Sequence, residues 1–85
     1  MAKKGYIRKK NQPILNTIGT NIRRYRILKE LSVEKLAILA NIEAKSIYNY
    51  EYSKVDIGAS SVAVIANALQ IEPYLLLMPM ETEED

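Results

Sequence analysis

Apolar residues recur along this chain at helical spacing, and the recurrence breaks and restarts often enough to define five short elements. Ile18, Ile22 and Tyr25 stand at i, i+4 and i+7, a spacing that gathers them on one face of a helix. That first helix is expected to start between residues 14 and 17 and to run to about residue 29. Arg26 lies beside the apolar face, where a charge needs a partner. Leu31 then plugs a short turn, and Ser32 is suited to cap a second helix over 33–40, with Glu34 in its first turn to complement the helix dipole. Glu30 sits where a helix C-terminus favours glycine, and a positive φ there would cost about 1 kcal/mol. Asn41, which ends the second helix, tolerates that conformation better than most residues.

A third helix is expected over about 44–52, after a tight corner at Asn41 and Ile42. Leu36, Ala37, Ala40, Ile42 and Ile47 form the apolar set that would lock the second and third helices at a steep angle. One face of the third is left free, which is the layout of a helix-turn-helix. A polar connection over 53–58 follows, and either Gly58 or Ser60 opens a fourth helix whose Val62, Ile65, Ala66 and Leu69 mark a buried stripe. Pro73 fits the first position of a short fifth helix over 73–77. Leu75, Leu76, Leu77, Met78 and Met80 then make an apolar patch that is expected to be covered, either across a dimer or folded back on the first and fourth helices. The predicted class is all-α with five helices.

With 85 residues the chain supports one small domain, and 48% apolar content suffices for a helical core without staples. The sequence divides into a flexible basic arm over 1–13, a helix-turn-helix domain over 14–78 and an acidic tail over 79–85. There is neither cysteine nor histidine, which removes disulfides, thiolate metal sites and the commonest general base. Glu30, Glu34, Glu43, Glu51 and Asp56 are scattered over separate faces, and no phosphate-binding glycine loop or nucleophile motif is present. No enzyme, catalytic residue, metal, cofactor or small-molecule ligand is therefore expected. The net charge is only +2, but the arm concentrates Lys3, Lys4, Arg8, Lys9 and Lys10, while Glu81, Glu83, Glu84 and Asp85 crowd the other end. Such an arm suits a polyanionic partner and equally a solubilising role. No stretch reads as a signal peptide or a membrane span, so a cytoplasmic setting without a membrane partner is expected.

Ile18-Gly19, Ile22, Arg26, Leu31-Ser32, Leu36-Ala37, Ile42, Ile47, Glu51, Val62, Ile65-Ala66 and Leu69 share one joint spacing. By it, residues 16–77 resemble the lambda-repressor-like, Cro/cI-type (XRE) helix-turn-helix family. The resemblance implies a five-helix, bacterial or phage-encoded domain that binds a pseudo-palindromic operator in double-stranded DNA, usually as a homodimer. It also implies a partner for Arg26, because an arginine on helix 1 of such domains commonly pairs with a glutamate at the end of the recognition helix, here Glu51.

Base-reading positions of the family fall on Ala44, Lys45 and Asn49, which also lie on the outward side of the third helix. Lysine can donate to guanine O6 or N7, asparagine can pair with adenine N6 and N7, and alanine can touch a thymine methyl. Phosphate contacts are expected from Ser46, Tyr48, Tyr52 and Lys54, and from Val33 and Lys35 at the start of helix 2. Tyr50, three residues from Ile47, reads as core. Three positions depart from the family pattern. Val33 replaces a glutamine that contacts phosphate in relatives, Glu43 replaces a Ser or Thr cap and faces the DNA backbone with a negative charge, and Ala44 lacks a polar reader. The leading expectation is a transcriptional repressor acting by operator occupancy. The competing one is a protein-interaction module on the same fold, an antitoxin-like or adaptor subunit with weak or lost DNA binding.

Overall fold

The first helix starts earlier than its apolar period suggests. In the computed structural model, which describes residues 10–80, α1 spans Gln12–Leu28. Asn11 caps it by accepting from the Ile14 N–H at 3.0 Å. Pro13 falls in the first turn, where its fixed φ helps and its missing N–H is not needed. Gln12 and Pro13 therefore belong to the helix and not to the arm, whose expected extent of 1–13 shortens accordingly. Leu15 extends the buried stripe of Ile18 and Ile22 by one turn.

The remaining helices are α2 (Val33–Ala40), α3 (Ala44–Glu51), α4 (Ala59–Leu69) and α5 (Tyr74–Leu77), and the described residues contain no strand. This is the all-α, five-helix class. Four of the helices end alike. Glu30, Asn41, Ser53 and Gln70 take φ values of 58, 56, 59 and 61°. In each case the next N–H closes back on a carbonyl five residues earlier: Leu31 on Arg26, Ile42 on Ala37, Lys54 on Asn49, and Ile71 on Ala66. Such a closure satisfies carbonyls that a helix end leaves unpaired, and it usually brings an apolar residue onto the helix it has left. Leu31, Ile42 and Ile71 do pack on the core, whereas the one at the end of α3 is Lys54, which stays exposed.

Inside, α1 packs on α3, α4 and α5, while α2 packs on α3 and α4. The core gathers Leu15, Ile18, Ile22, Leu36, Ile47, Ile65, Leu69 and Leu76, together with the smaller Ala37, Ala40 and Ala66. Gly58 caps α4, and Pro73 stands just before α5 rather than in its first position. Two expectations change here. The connection over 53–58 is not wholly polar, since Ile57 is buried beneath it. The C-terminal apolar patch divides: Leu76 is fully buried and Leu75 and Met80 are half-buried, but Leu77 and Met78 are 44% and 52% exposed. A single helical turn can present only part of a run of consecutive apolar residues to the core.

Two residues of α1 fix its neighbours. Asn21 is buried, and its Nδ2 donates to the carbonyls of Leu75, Leu76 and Met78 at 3.2, 2.9 and 2.7 Å, so a side chain of α1 holds the backbone of α5. Gly19 meets the end of α3 so closely that a Cβ there would lie 2.5 Å from the Tyr50 carbonyl oxygen and 2.7 Å from that of Glu51. The Ser53 hydroxyl donates to the Leu15 carbonyl at 3.1 Å and reinforces the same seam.

Candidate nucleic-acid interface

The inner side of α3 determines how its outer side is presented. Ile47 is fully buried, Tyr50 packs against the core, and Glu51 is buried at the last turn. Arg26 meets Glu51 with both ends of the carboxylate: Nε donates to Oε2 at 2.6 Å and Nη2 to Oε1 at 3.2 Å. Its remaining nitrogen, Nη1, donates to the Leu31 carbonyl at 2.8 Å. One guanidinium thus joins α1, the turn into α2 and the end of α3, with side-chain exposures of 13% for Arg26 and 2% for Glu51. Charge-assisted bidentate pairs are both strong and directional. No buried side-chain polar atom of the described residues lacks a partner.

The outer side is built in the opposite manner. Lys45 is exposed, and Ala44, Ser46 and Asn49 are half-exposed. Among the described residues, the side chains of Lys45 and Asn49 make no hydrogen bond to another part of the protein, which leaves the ammonium and the amide available to a partner. Tyr48 and Tyr52 follow one turn apart, 46% and 52% exposed, with ring centroids 4.7 Å apart and planes tilted by 45°. Lys54 Nζ lies 5.3 Å from the Tyr48 ring centroid, within cation–π range. The αL turn at Ser53 that ends α3 puts this ammonium there. Two phenols and a cation therefore form one rim at the C-terminal edge of the helix.

The N-terminal edge differs. Glu43 caps α3 with backbone geometry alone and makes no side-chain cap hydrogen bond. At the start of α2, Ser32 Oγ accepts from the Lys35 N–H at 2.9 Å. Lys35 is exposed there, while Val33 packs partly into the core. Glu34, Ala37, Ile38, Asn41, Glu43 and Ala44 line a shallow groove between the two helices. Of the basic arm, Lys10 is exposed just before the Asn11 cap. Lys3, Lys4, Arg8 and Lys9 lie outside the described residues.

The sequence reading overlooked Arg23 and Arg24. They line a depression with Thr20, Glu51 and Tyr52, so the outer face of α1 adds two cations beside the tyrosine end of α3. The signal was the run Arg23-Arg24-Tyr25-Arg26, of which Glu51 pairs with Arg26 alone among the described residues, leaving two cations of the run for the surface. Among the described residues no cluster of three or more acidic, His or Cys side chains could hold a metal, and no helix is long and apolar enough to cross a membrane.

Two solved structures are similar to this one. A hypothetical transcription factor, NHTF, from Neisseria matches over 84% of this chain and 82% of its own, with a TM-score of 0.77 and 27% identity. The restriction-modification controller protein C.AhdI from Aeromonas hydrophila matches over 73% of this chain and 94% of its own, with a TM-score of 0.71 and 31% identity. No protein-family model and no curated protein sequence matches the chain.

Proposed function

The chain belongs to the lambda-repressor-like, Cro/cI-type helix-turn-helix family, and from that membership we propose a sequence-specific DNA-binding transcriptional regulator that represses by occupying its operator. The observation that carries the reading is the contrast across α3. Arg26 and Glu51 clamp its inner side, while Lys45 and Asn49 stand outward with free hydrogen-bonding groups. In the major groove Lys45 donates to guanine, Asn49 pairs with adenine and Ala44 meets a thymine methyl. Ser46, Tyr48, Tyr52 and Lys54 hold one stretch of backbone, the first turn of α2 with Val33 and Lys35 holds another, and the basic arm adds sequence-independent attraction.

A homodimer fits the operator symmetry such a reader needs. Tyr74, Leu77 and Met78 around α5 and Val64 on α4 are exposed apolar side chains, and we assign them to the two-fold contact. Two recognition helices would then meet half-sites about 34 Å apart. The cytoplasm is the setting this function requires.

The competing reading, a protein-interaction subunit, draws on Glu43 and Ala44 at the reading end and on Ile38 and Leu39, which are 74% and 53% exposed on α2. Fluorescence anisotropy against a random duplex at low salt separates the two. Binding near ~10 μM or tighter supports the regulator, and no binding at that concentration favours the interaction subunit. Selection of bound sequences from a random pool then reads out the operator, and a pool with no enriched two-fold motif would count against sequence-specific repression.

A further inference from the structure

The outer face of α1 carries a trough that the reading above leaves unused. At one end Thr20 and Arg24 line a depression together with Pro79 and Met80. At the other, Thr20, Arg23 and Arg24 line a second depression that reaches Tyr52 on the rim of the recognition helix. The two depressions share Thr20 and Arg24 and so adjoin on either side of these two residues. Among the described residues, the only carboxylate lining this trough is that of Glu51, which Arg26 already engages. Among the described residues, neither Arg23 nor Arg24 has a carboxylate within ion-pair distance.

Asn21 determines what lies next to that trough. By holding the carbonyls of Leu75, Leu76 and Met78, it lays the end of α5 against α1, and the chain passes Met80 at the trough's edge. The five residues that follow are Glu81, Thr82, Glu83, Glu84 and Asp85, with four carboxylates among them. Five extended residues reach ~17 Å. The rise of α1 from Asn16 to Arg24 is only ~12 Å. A segment tethered at this distance meets the arginines at an effective concentration in the millimolar range.

We propose that the acidic segment 81–85 docks on Thr20, Arg23 and Arg24, beside the Tyr52 end of the phosphate-contacting rim, and competes there with the DNA backbone, so that the free protein shields two cations adjoining that rim. Exposed ion pairs are individually weak. The docking is correspondingly reversible and salt-sensitive, as a competitor must be if DNA is to displace it. The contact stands on the placement of the arginines and Met80. Its consequence for affinity rests on the DNA-binding reading.

The test compares the full chain with a variant carrying Glu81→Gln, Glu83→Gln, Glu84→Gln and Asp85→Asn. In amide and arginine side-chain NMR spectra of the free proteins at ~0.01 M salt, neutralising the segment is expected to shift Thr20, Arg23 and Arg24. The difference should vanish at ~1 M salt, where the screening length falls from ~30 Å to ~3 Å. Shifts confined to the basic arm, or to residues 81–85 themselves, overturn the proposal. With duplex DNA at low salt, neutralisation is expected to tighten binding by about five- to tenfold. The same neutralisation in an Arg23→Gln/Arg24→Gln background should change binding less than about twofold, because the docking partners are gone. An equal gain in both backgrounds would mean general repulsion of DNA by the tail and would sink the proposal. If no variant binds duplex, the DNA reading and the competition fall together, while the spectra still decide whether the contact exists.

Discussion

The two sides of α3 obey opposite rules. On its inner side the buried side-chain polar atoms are all paired: Glu51 receives two bonds from Arg26 and Arg26 gives its third to Leu31, while the carbonyls of Tyr50 and Glu51 pack closely against Gly19. On its outer side Lys45 and Asn49 are left without partners within the described residues, and Tyr48 and Tyr52 stack only on each other and on Lys54. A buried polar group without a partner is destabilising, so the inner side tolerates almost no substitution. Water satisfies an exposed one, so the outer side is free to be chosen for what it binds. The helix is thus positioned by its inner residues, and on the proposed reading the outer ones, which contribute little to folding, meet the DNA.

The largest expected effect tests the inner side directly. Glu51→Ala leaves the Arg26 guanidinium largely buried with only the Leu31 carbonyl, and should destabilise the fold by about 3–5 kcal/mol in urea denaturation. Replacing both members of the pair by apolar residues of similar volume should recover most of that loss, because it removes the stranded charge along with its partner. A single variant as stable as the parent would show that the pair does not clamp the helix.

Gly19→Ala comes next. The new methyl would lie 2.5 and 2.7 Å from two backbone oxygens at the end of α3, and neither can rotate away as a side chain could. The helices must separate instead, at an expected loss of about 2–3 kcal/mol. Thermal denaturation measures it, and an unchanged midpoint would mean that the seam between α1 and α3 is looser than the structure has it. Asn21→Ala should cost about 1–3 kcal/mol by leaving the carbonyls of α5 without their donor. Because Leu77 at the end of α5 and Met78 just after it belong to the proposed two-fold contact, the same variant is expected to weaken the proposed self-association in light scattering. Loss of stability with no change in mass would place the dimer contact elsewhere.

Much of this inner side was legible in the sequence. Period alone located the apolar stripes, and cap chemistry placed Ser32 before α2 and Asn41 after it, because those interactions span only a few residues. The family spacing brought Arg26 to Glu51. What escaped depended on distant parts of the chain. Asn21 looks like any polar helix residue until α5, some 54 to 57 residues later, delivers three carbonyls to it. Ile57 reads as part of a polar loop, and five neighbouring apolar residues do not reveal which of them a single turn will bury. The start of α1 was missed for a local reason, since a proline stops a helix in its interior but starts one well in its first turn.

The smallest expected effect on folding is on the outer side, and it sharpens the comparison most. Lys45→Ala and Asn49→Ala remove side chains that make no hydrogen bond or ion pair within the described residues, and alanine favours the helix, so stability should move by no more than about 0.5 kcal/mol. Binding should change far more. Each loss is expected to remove roughly 1–3 kcal/mol of discrimination at one base pair of the selected operator, leaving the non-specific affinity dominated by phosphate contacts. The two variants also differ in a way that separates charge from geometry. Lys45→Ala removes a cation and should reduce the dependence of affinity on salt, with log K against log salt flattening by about 0.9 if the ammonium also neutralises a phosphate. Asn49→Ala removes only hydrogen bonds and should leave that slope unchanged. Equal losses on operator and random duplex for both variants would mean that this face holds the backbone without reading the bases. The division of labour across α3 would then lie between fold and electrostatics rather than between fold and sequence recognition.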